Sequence, residues 1–175
     1  MLAPLAFVAV RLASTAGGSV DPFVDAERST VLFFLTEECP ISRKMSPEMA
    51  KIARDYQNSG FRFFAVHVDP ATTLARAKAH GKSFRLNFPA LLDPTQSAAR
   101  QVKVSVVPTA VVVSPEGTIR YFGRIDDRFP ELGVMRHRAR REDLRRALDD
   151  IISKGPIEVP RTKAVGCFMP PAQQK

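Results

Sequence analysis

Apolar positions fall into short blocks whose spacing changes along the chain, and those changes predict the elements. Val31-Leu32-Phe33-Phe34-Leu35 is an uninterrupted apolar run bounded by polar residues. A strand covered on both faces needs such a run, so a central strand is expected here. After Cys39-Pro40, apolar residues recur at Met45, Met49, Ile52, Ala53 and Tyr56, the spacing of one helical face, and Gly60 offers a stop. Pro40 suits a first helical turn, whereas Pro47 inside the pattern predicts a kink. Phe63 to Val68 is a second buried run, Asp69-Pro70 signals the start of a helix over 72–80, and Gly81 closes it.

Strand, helix, strand, helix in this order predicts a parallel pair with a right-handed crossover and chemistry in the loops at the carboxyl ends of the strands. Asp93-Pro94 opens a short helix reaching about Val102. Beyond Pro108, Thr109 to Ser114 and Thr118 to Arg124 are strand-like runs separated by Pro115-Glu116-Gly117, an antiparallel hairpin. Leu144, Ala147, Leu148, Ile151 and Ile152 mark a last helix that Gly155-Pro156 stops. The expected architecture is α/β with a mixed central sheet over residues 25–156. Residues 157–175 form a Pro-rich tail without periodicity that carries Cys167.

At 175 residues and 45% apolar content the chain supports one core, which excludes a disordered or fibrous protein. The net charge is +8, and 18 of the 26 bases are Arg, which favours acidic partners. Arg136 to Arg146 holds six Arg and two acids, but no aromatic residues interleave them. A solvated basic face is therefore expected, and no nucleic acid partner. No apolar run reaches the roughly 20 residues of a membrane span.

Near the start, an apolar run ending at Val10 precedes Ser14-Thr15-Ala16, small residues of the kind a signal peptidase cleaves. Residues 1–20 thus read as a truncated export signal, and an exported or periplasmic location follows. No basic residue precedes the run and Pro4 sits inside it, so a flexible arm on a cytoplasmic protein is the alternative.

The two cysteines, Cys39 and Cys167, stand far apart in the chain, which excludes a disulfide-dense scaffold and any Cys-x-x-Cys zinc site. Cys39 leaves a central strand and opens a helix, so its sulfur faces unpaired backbone N–H groups and the positive end of the helix dipole. Arg43 and Lys44 add positive charge that favours the thiolate, while Glu37 and Glu38 oppose it. Thr36 places a hydroxyl near the sulfur. This turn suits a reactive thiol better than a buried structural one. His67, inside an apolar strand, is expected to be a hydrogen-bonded core residue, His80 and His137 to be solvated, and Asp126-Asp127 to be turn or cap residues.

The run VLFFLTEECPIS (Val31 to Ser42), a Pro-bearing helix and then VVPTAVVVSPEGTIRYFGRIDD (Val106 to Asp127) resemble the thioredoxin-fold redoxins of the alkyl hydroperoxide reductase and thiol-specific antioxidant (AhpC/TSA) family. The likeness is strongest to a peroxiredoxin-like branch that carries both Gly123-Arg124-Ile125-Asp126-Asp127 and a terminal segment like VPRTKAVGC (Val159 to Cys167), and it runs from about Val31 to Met169. The resemblance implies a thioredoxin-like three-layer sandwich, a cis Val107-Pro108 bond facing Cys39, and Cys39 as the counterpart of the first cysteine of thioredoxin's Cys-x-x-Cys. Ser42 replaces the second. Thr36 matches the Thr that peroxiredoxins place three residues ahead of their peroxidatic cysteine. Leu32 stands where they have Pro, and the Arg they carry near Val107-Pro108 is missing, with Arg124 or Arg43 left to supply the charge.

Cys167 is then a candidate resolving thiol that attacks an oxidised Cys39; the alternative is that Gly166 to Met169 packs as a hydrophobic plug. The leading expectation is a thiol-based oxidoreductase without cofactor or metal. Cys39 attacks a peroxide oxygen or a substrate disulfide, Thr36, Pro108 and Arg124 support it, and a thiol donor supplies electrons. The alternative is a non-catalytic binding module that uses the Cys39 and Pro108 face for partner peptides or for Cu(I), although copper-carrying relatives pair two cysteines in one loop.

Overall fold

The computed structural model describes residues 7–173. In chain order the elements are β1 (Leu12–Ser14), β2 (Ser19–Val20), β3 (Ser29–Leu35), α1 (Pro40–Tyr56), β4 (Phe61–His67), α2 (Leu74–Ser83), β5 (Ala90–Leu92), α3 (Ser97–Gln101), β6 (Val106–Val107), β7 (Thr109–Val113), β8 (Ile119–Gly123), α4 (Asp143–Ile152) and β9 (Cys167–Phe168). Seven strands form one sheet in the order β2-β1-β5-β4-β3-β7-β8, and β6 pairs with β9 separately. The first six residues of the expected export signal lie outside the described residues, and part of the remainder is β1, antiparallel to β5.

The centre of the sheet is β3, parallel to β4 and antiparallel to β7, with all seven of its residues buried. Successive side chains of a strand point to opposite faces, so complete burial requires a layer on each side. This is the thioredoxin-like three-layer sandwich with a mixed sheet that the sequence led us to expect. On α1 the buried stripe is Ile41, Met45, Met49, Ile52, Ala53 and Tyr56, with Pro47 inside the helix. Each large apolar side chain so buried contributes about 1.5–3 kcal/mol. Beside α1 lies α4, tied to it by the Tyr56 hydroxyl donating to Asp149 at 2.7 Å and by Arg145 bridging Glu48 at 3.0 Å and Asp55 at 2.8 Å.

Some expected boundaries shift for local reasons. The start of α2 is Thr73, whose hydroxyl oxygen accepts from the Arg76 N–H at 3.2 Å, whereas the Asp69 carboxylate accepts from the Ala71 N–H in a turn. Gly81 continues the helix rather than ending it, and the Phe84 N–H closes it by bonding back to the His80 carbonyl.

Residues 160–173 follow a defined path over the domain. The Phe122 N–H donates to Pro160 O and the Thr162 N–H to Phe122 O, both at 3.0 Å, which lays Arg161 against the edge strand β8. Backbone groups at a sheet edge otherwise need water or a partner chain. The Thr162 hydroxyl oxygen lies 2.8 Å from the Tyr121 hydroxyl and accepts from the Arg124 N–H at 3.0 Å. Further on, Gln96 Nε2 donates to Pro170 O at 2.6 Å and the Gln173 N–H to Pro94 O at 2.8 Å. Between these two anchors β9 pairs with β6, Val107 opposite Cys167 and Val106 opposite Phe168.

Candidate active site

Cys39 is the N-cap of α1, directly beyond the loop that leaves β3, and only 3% of it is exposed. The Ser42 N–H donates to its Sγ at 3.5 Å, and the Val107 carbonyl oxygen lies 3.4 Å from the same sulfur. A sulfur so placed takes up an otherwise orphaned donor of the first helical turn. Cys39 and Cys167, 128 positions apart, form a disulfide with their α-carbons 6.1 Å apart, inside the range a bridge requires. The Val107-Pro108 peptide is cis, and Val107 is the residue that pairs with Cys167.

Two glycines let the tail lie where it does. At Gly166 a β-carbon would collide with the carbonyl of Val107. At Gly123, whose φ of +152° disfavours any side chain, a β-carbon would collide with Thr162. Gly166, Gly123 and Thr162 let the tail place Cys167 at the sulfur of Cys39; all three stand in the motifs that carry the family resemblance, but their part in docking the tail could not be read from a segment without periodicity. The Thr and Gly of VPRTKAVGC were the available signal. Phe168 is 84% exposed, whereas Gly166 is buried and Cys167 and Met169 pack against the core, so part of the Gly166 to Met169 segment packs down while it carries the bridging sulfur.

Of the residues singled out from sequence, Thr36, Cys39, Pro108 and Cys167 converge. Thr36 is buried, and its carbonyl accepts from the Cys39 N–H at 3.4 Å. Arg124 shares a small hollow with Ile41, Met45, Pro108, Asp126 and Val165, but its Nε donates to Asp143 at 2.7 Å. Arg43 and Lys44 are exposed on the first turns of α1. Glu37 and Glu38, which oppose them, are both held by Arg76, at 2.7 and 2.8 Å. Asp126 and Asp127 are turn residues, Asp126 accepting from the Arg128 N–H and Asp127 from those of Arg140 and Arg141.

His137 is exposed as expected, but the other two histidines depart from expectation. His67 is buried, yet neither ring nitrogen has a hydrogen-bond partner, and His80 is buried rather than solvated. The two rings meet edge to face at 5.3 Å, and Phe84 covers His80 at 4.8 Å. The register of β4 places His67 on the core side, opposite Leu35 and Leu92, and α2 turns His80 inward beside it. Burial first and the neighbouring His80 second push the His67 pKa down to about 3. No cluster of three or more His, Cys, Asp and Glu side chains suited to a metal occurs among the described residues. The two sulfurs that a Cu(I) site would need are bonded to each other.

No curated protein matches the chain. Among solved structures it is similar to a hypothetical protein from Sinorhizobium meliloti 1021, at 24% identity and a TM-score of 0.81 over 97% of this chain and 94% of that one. An uncharacterized conserved protein from Geobacillus kaustophilus is equally similar, at 24% identity and a TM-score of 0.81 over 100% and 95%. A secreted Mycobacterium tuberculosis disulfide oxidoreductase, homologous to DsbE of Escherichia coli, aligns at 19% identity and a TM-score of 0.55 over 65% and 81%. These likenesses concern the fold. The model of the AhpC/TSA family matches residues 10–122, from β1 into β8 and including the Cys39 turn and the cis-proline. The chain is therefore a member of the AhpC/TSA family built on a thioredoxin-like fold.

Proposed function

We propose that this protein is a thiol-disulfide oxidoreductase whose redox unit is the pair Cys39 and Cys167, cycling between disulfide and dithiol. The observation that carries this reading is the bridge between the helix-capping sulfur and a tail strand docked on the residue before the cis-proline. In the oxidising direction, two substrate thiols give up two electrons and two protons, the substrate disulfide forms, and Cys39 and Cys167 become thiols. The reverse reaction reduces a substrate disulfide. The chemistry needs no cofactor, because the electrons move within sulfur bonds.

Each residue of the site has a role. Cys39 is the better thiolate, since the Ser42 N–H and the dipole of α1 stabilise negative charge on its sulfur. Cys167 supplies the second thiol that Ser42 cannot. Pro108 shapes the wall that β9 lies against, Thr36 fixes the turn, and Arg124 braces the strand end through Asp143. The disulfide form of the pair is favoured in oxidising compartments, which fits export to the periplasm or beyond.

Peroxide reduction is the second reading, favoured by the buried Thr36 beside Cys39. There Cys39 would become a sulfenate and Cys167 would displace water from it. Exchange is preferred because Arg124, which lines the same hollow as Pro108, is committed to Asp143. Reduced protein mixed separately with oxidised glutathione and with hydrogen peroxide tests the choice. Exchange predicts that the disulfide substrate forms the Cys39-Cys167 bridge faster, and peroxide reacts at the rate of an ordinary thiol. A peroxide reaction faster by about a hundredfold would reverse the assignment.

A further inference from the structure

In the oxidised protein the two sulfurs are not equivalent. Cys39 is 3% exposed, its Sγ enclosed by the Ser42 N–H on one side and the Val107 carbonyl on another. Cys167 is half-buried on a two-residue strand, and the next residue, Phe168, is 84% exposed. A thiolate attacks a disulfide along the sulfur-sulfur axis, from the side opposite the leaving sulfur. Attack on Cys39 must therefore reach a residue that is almost wholly buried. Attack on Cys167 meets the more accessible residue of the pair, and the sulfur it expels is the one at the N-terminus of α1.

Resting on the thiol-disulfide reading, we infer that Cys167, not Cys39, is the sulfur that faces the redox partner. An incoming thiolate bonds to Cys167 Sγ, the Cys39-Cys167 bond breaks, and Cys39 leaves as a thiolate that the Ser42 N–H and the helix dipole stabilise. A second substrate thiolate then attacks the substrate sulfur of this mixed disulfide. Cys167 leaves as a thiolate and takes up a proton, and the two substrate sulfurs are left joined. Two electrons pass from the substrate to the protein. The geometry also states what the partner must offer: a thiol able to reach the tail surface, with apolar area to lie against the exposed ring of Phe168. Cys39 works behind Cys167 as the leaving group and the internal store of the thiolate.

The experiment uses the oxidised full-length protein with reduced glutathione as the probe. Early time points are quenched in acid, free thiols are alkylated with N-ethylmaleimide, and the peptides are mapped by mass spectrometry. The inference predicts glutathione on the Cys167 peptide and maleimide on the Cys39 peptide, in excess of the converse by about tenfold or more. Glutathione mainly on Cys39 would overturn the inference and leave the exchange reading intact. An intact disulfide with no adduct on either cysteine would overturn both.

Discussion

The α-carbon of Gly166 packs against the carbonyl of Val107 so closely that position 166 has no room for a side chain. That contact fixes the next residue, Cys167, opposite Val107 and so at the sulfur of Cys39. A single methyl group at 166 therefore tests the whole docking of the tail. Gly166→Ala is expected to separate β9 from β6, lower the fraction of protein that forms the bridge, and cost about 1–3 kcal/mol in the oxidised state. Thiol counting under denaturing conditions reads the first effect and thermal unfolding the second. Full bridge formation at unchanged stability would show the tail to be free to shift.

The bridge closes a loop across 128 positions, so it restricts the unfolded chain strongly. In the chain-entropy treatment this is worth about 5 kcal/mol. Reduction is expected to lower Tm by roughly 10 °C or more. Cys167→Ser should unfold near the temperature of the reduced protein and show no response to reductant. Equal Tm for oxidised and reduced protein would mean that the bridge restrains nothing.

Ser42 touches the sulfur through its backbone, not its hydroxyl, since its N–H is the donor to Cys39 and its Oγ is buried without a partner. Ser42→Ala keeps that N–H and should retain activity within about threefold, whereas Cys39→Ser should abolish exchange. Turnover of a model disulfide measures both. Comparable losses would give the hydroxyl a role that its surroundings do not suggest.

His67 makes stability depend on pH with a definite sign. Its folded-state pKa is pushed down to about 3, mainly by burial, so below its ordinary value the unfolded chain binds a proton that the folded chain refuses. Stability is complete above about pH 6.5 and falls as the pH drops, by about 2 kcal/mol at pH 5 from this residue alone. Burial, then Arg43, lowers His80 in the same direction. Denaturant unfolding from pH 7 to 5 should show the decline, and His67→Leu should flatten it. An unchanged slope in that variant would place the effect elsewhere.

The order of large elements was readable because β3, α1, β4, the β7–β8 hairpin and α4 each bury enough apolar surface to impose a period. β1, β2 and β5 escaped notice because two or three residues carry no period, and their pairing is set by partners distant in sequence. At the site, the Cys39 turn was visible from the strand, cysteine and proline alone. The position of Cys167 was not, because it depends on hydrogen bonds from Tyr121, Phe122 and Arg124 to a segment with no apolar face of its own. The burial of His80 was likewise hidden, since nothing in a polar helix says which side meets the core.

The most direct test of the account is a redox titration of the full-length protein in glutathione buffers, with free thiols alkylated at each ratio and both cysteine peptides quantified by mass spectrometry. If Cys39 and Cys167 are one redox unit, both should become protected together in a single two-electron transition, recovered as the Cys39-Cys167 bridged peptide. Protection of Cys39 while Cys167 stays free to alkylation, or a bridge absent at every ratio, would contradict the account.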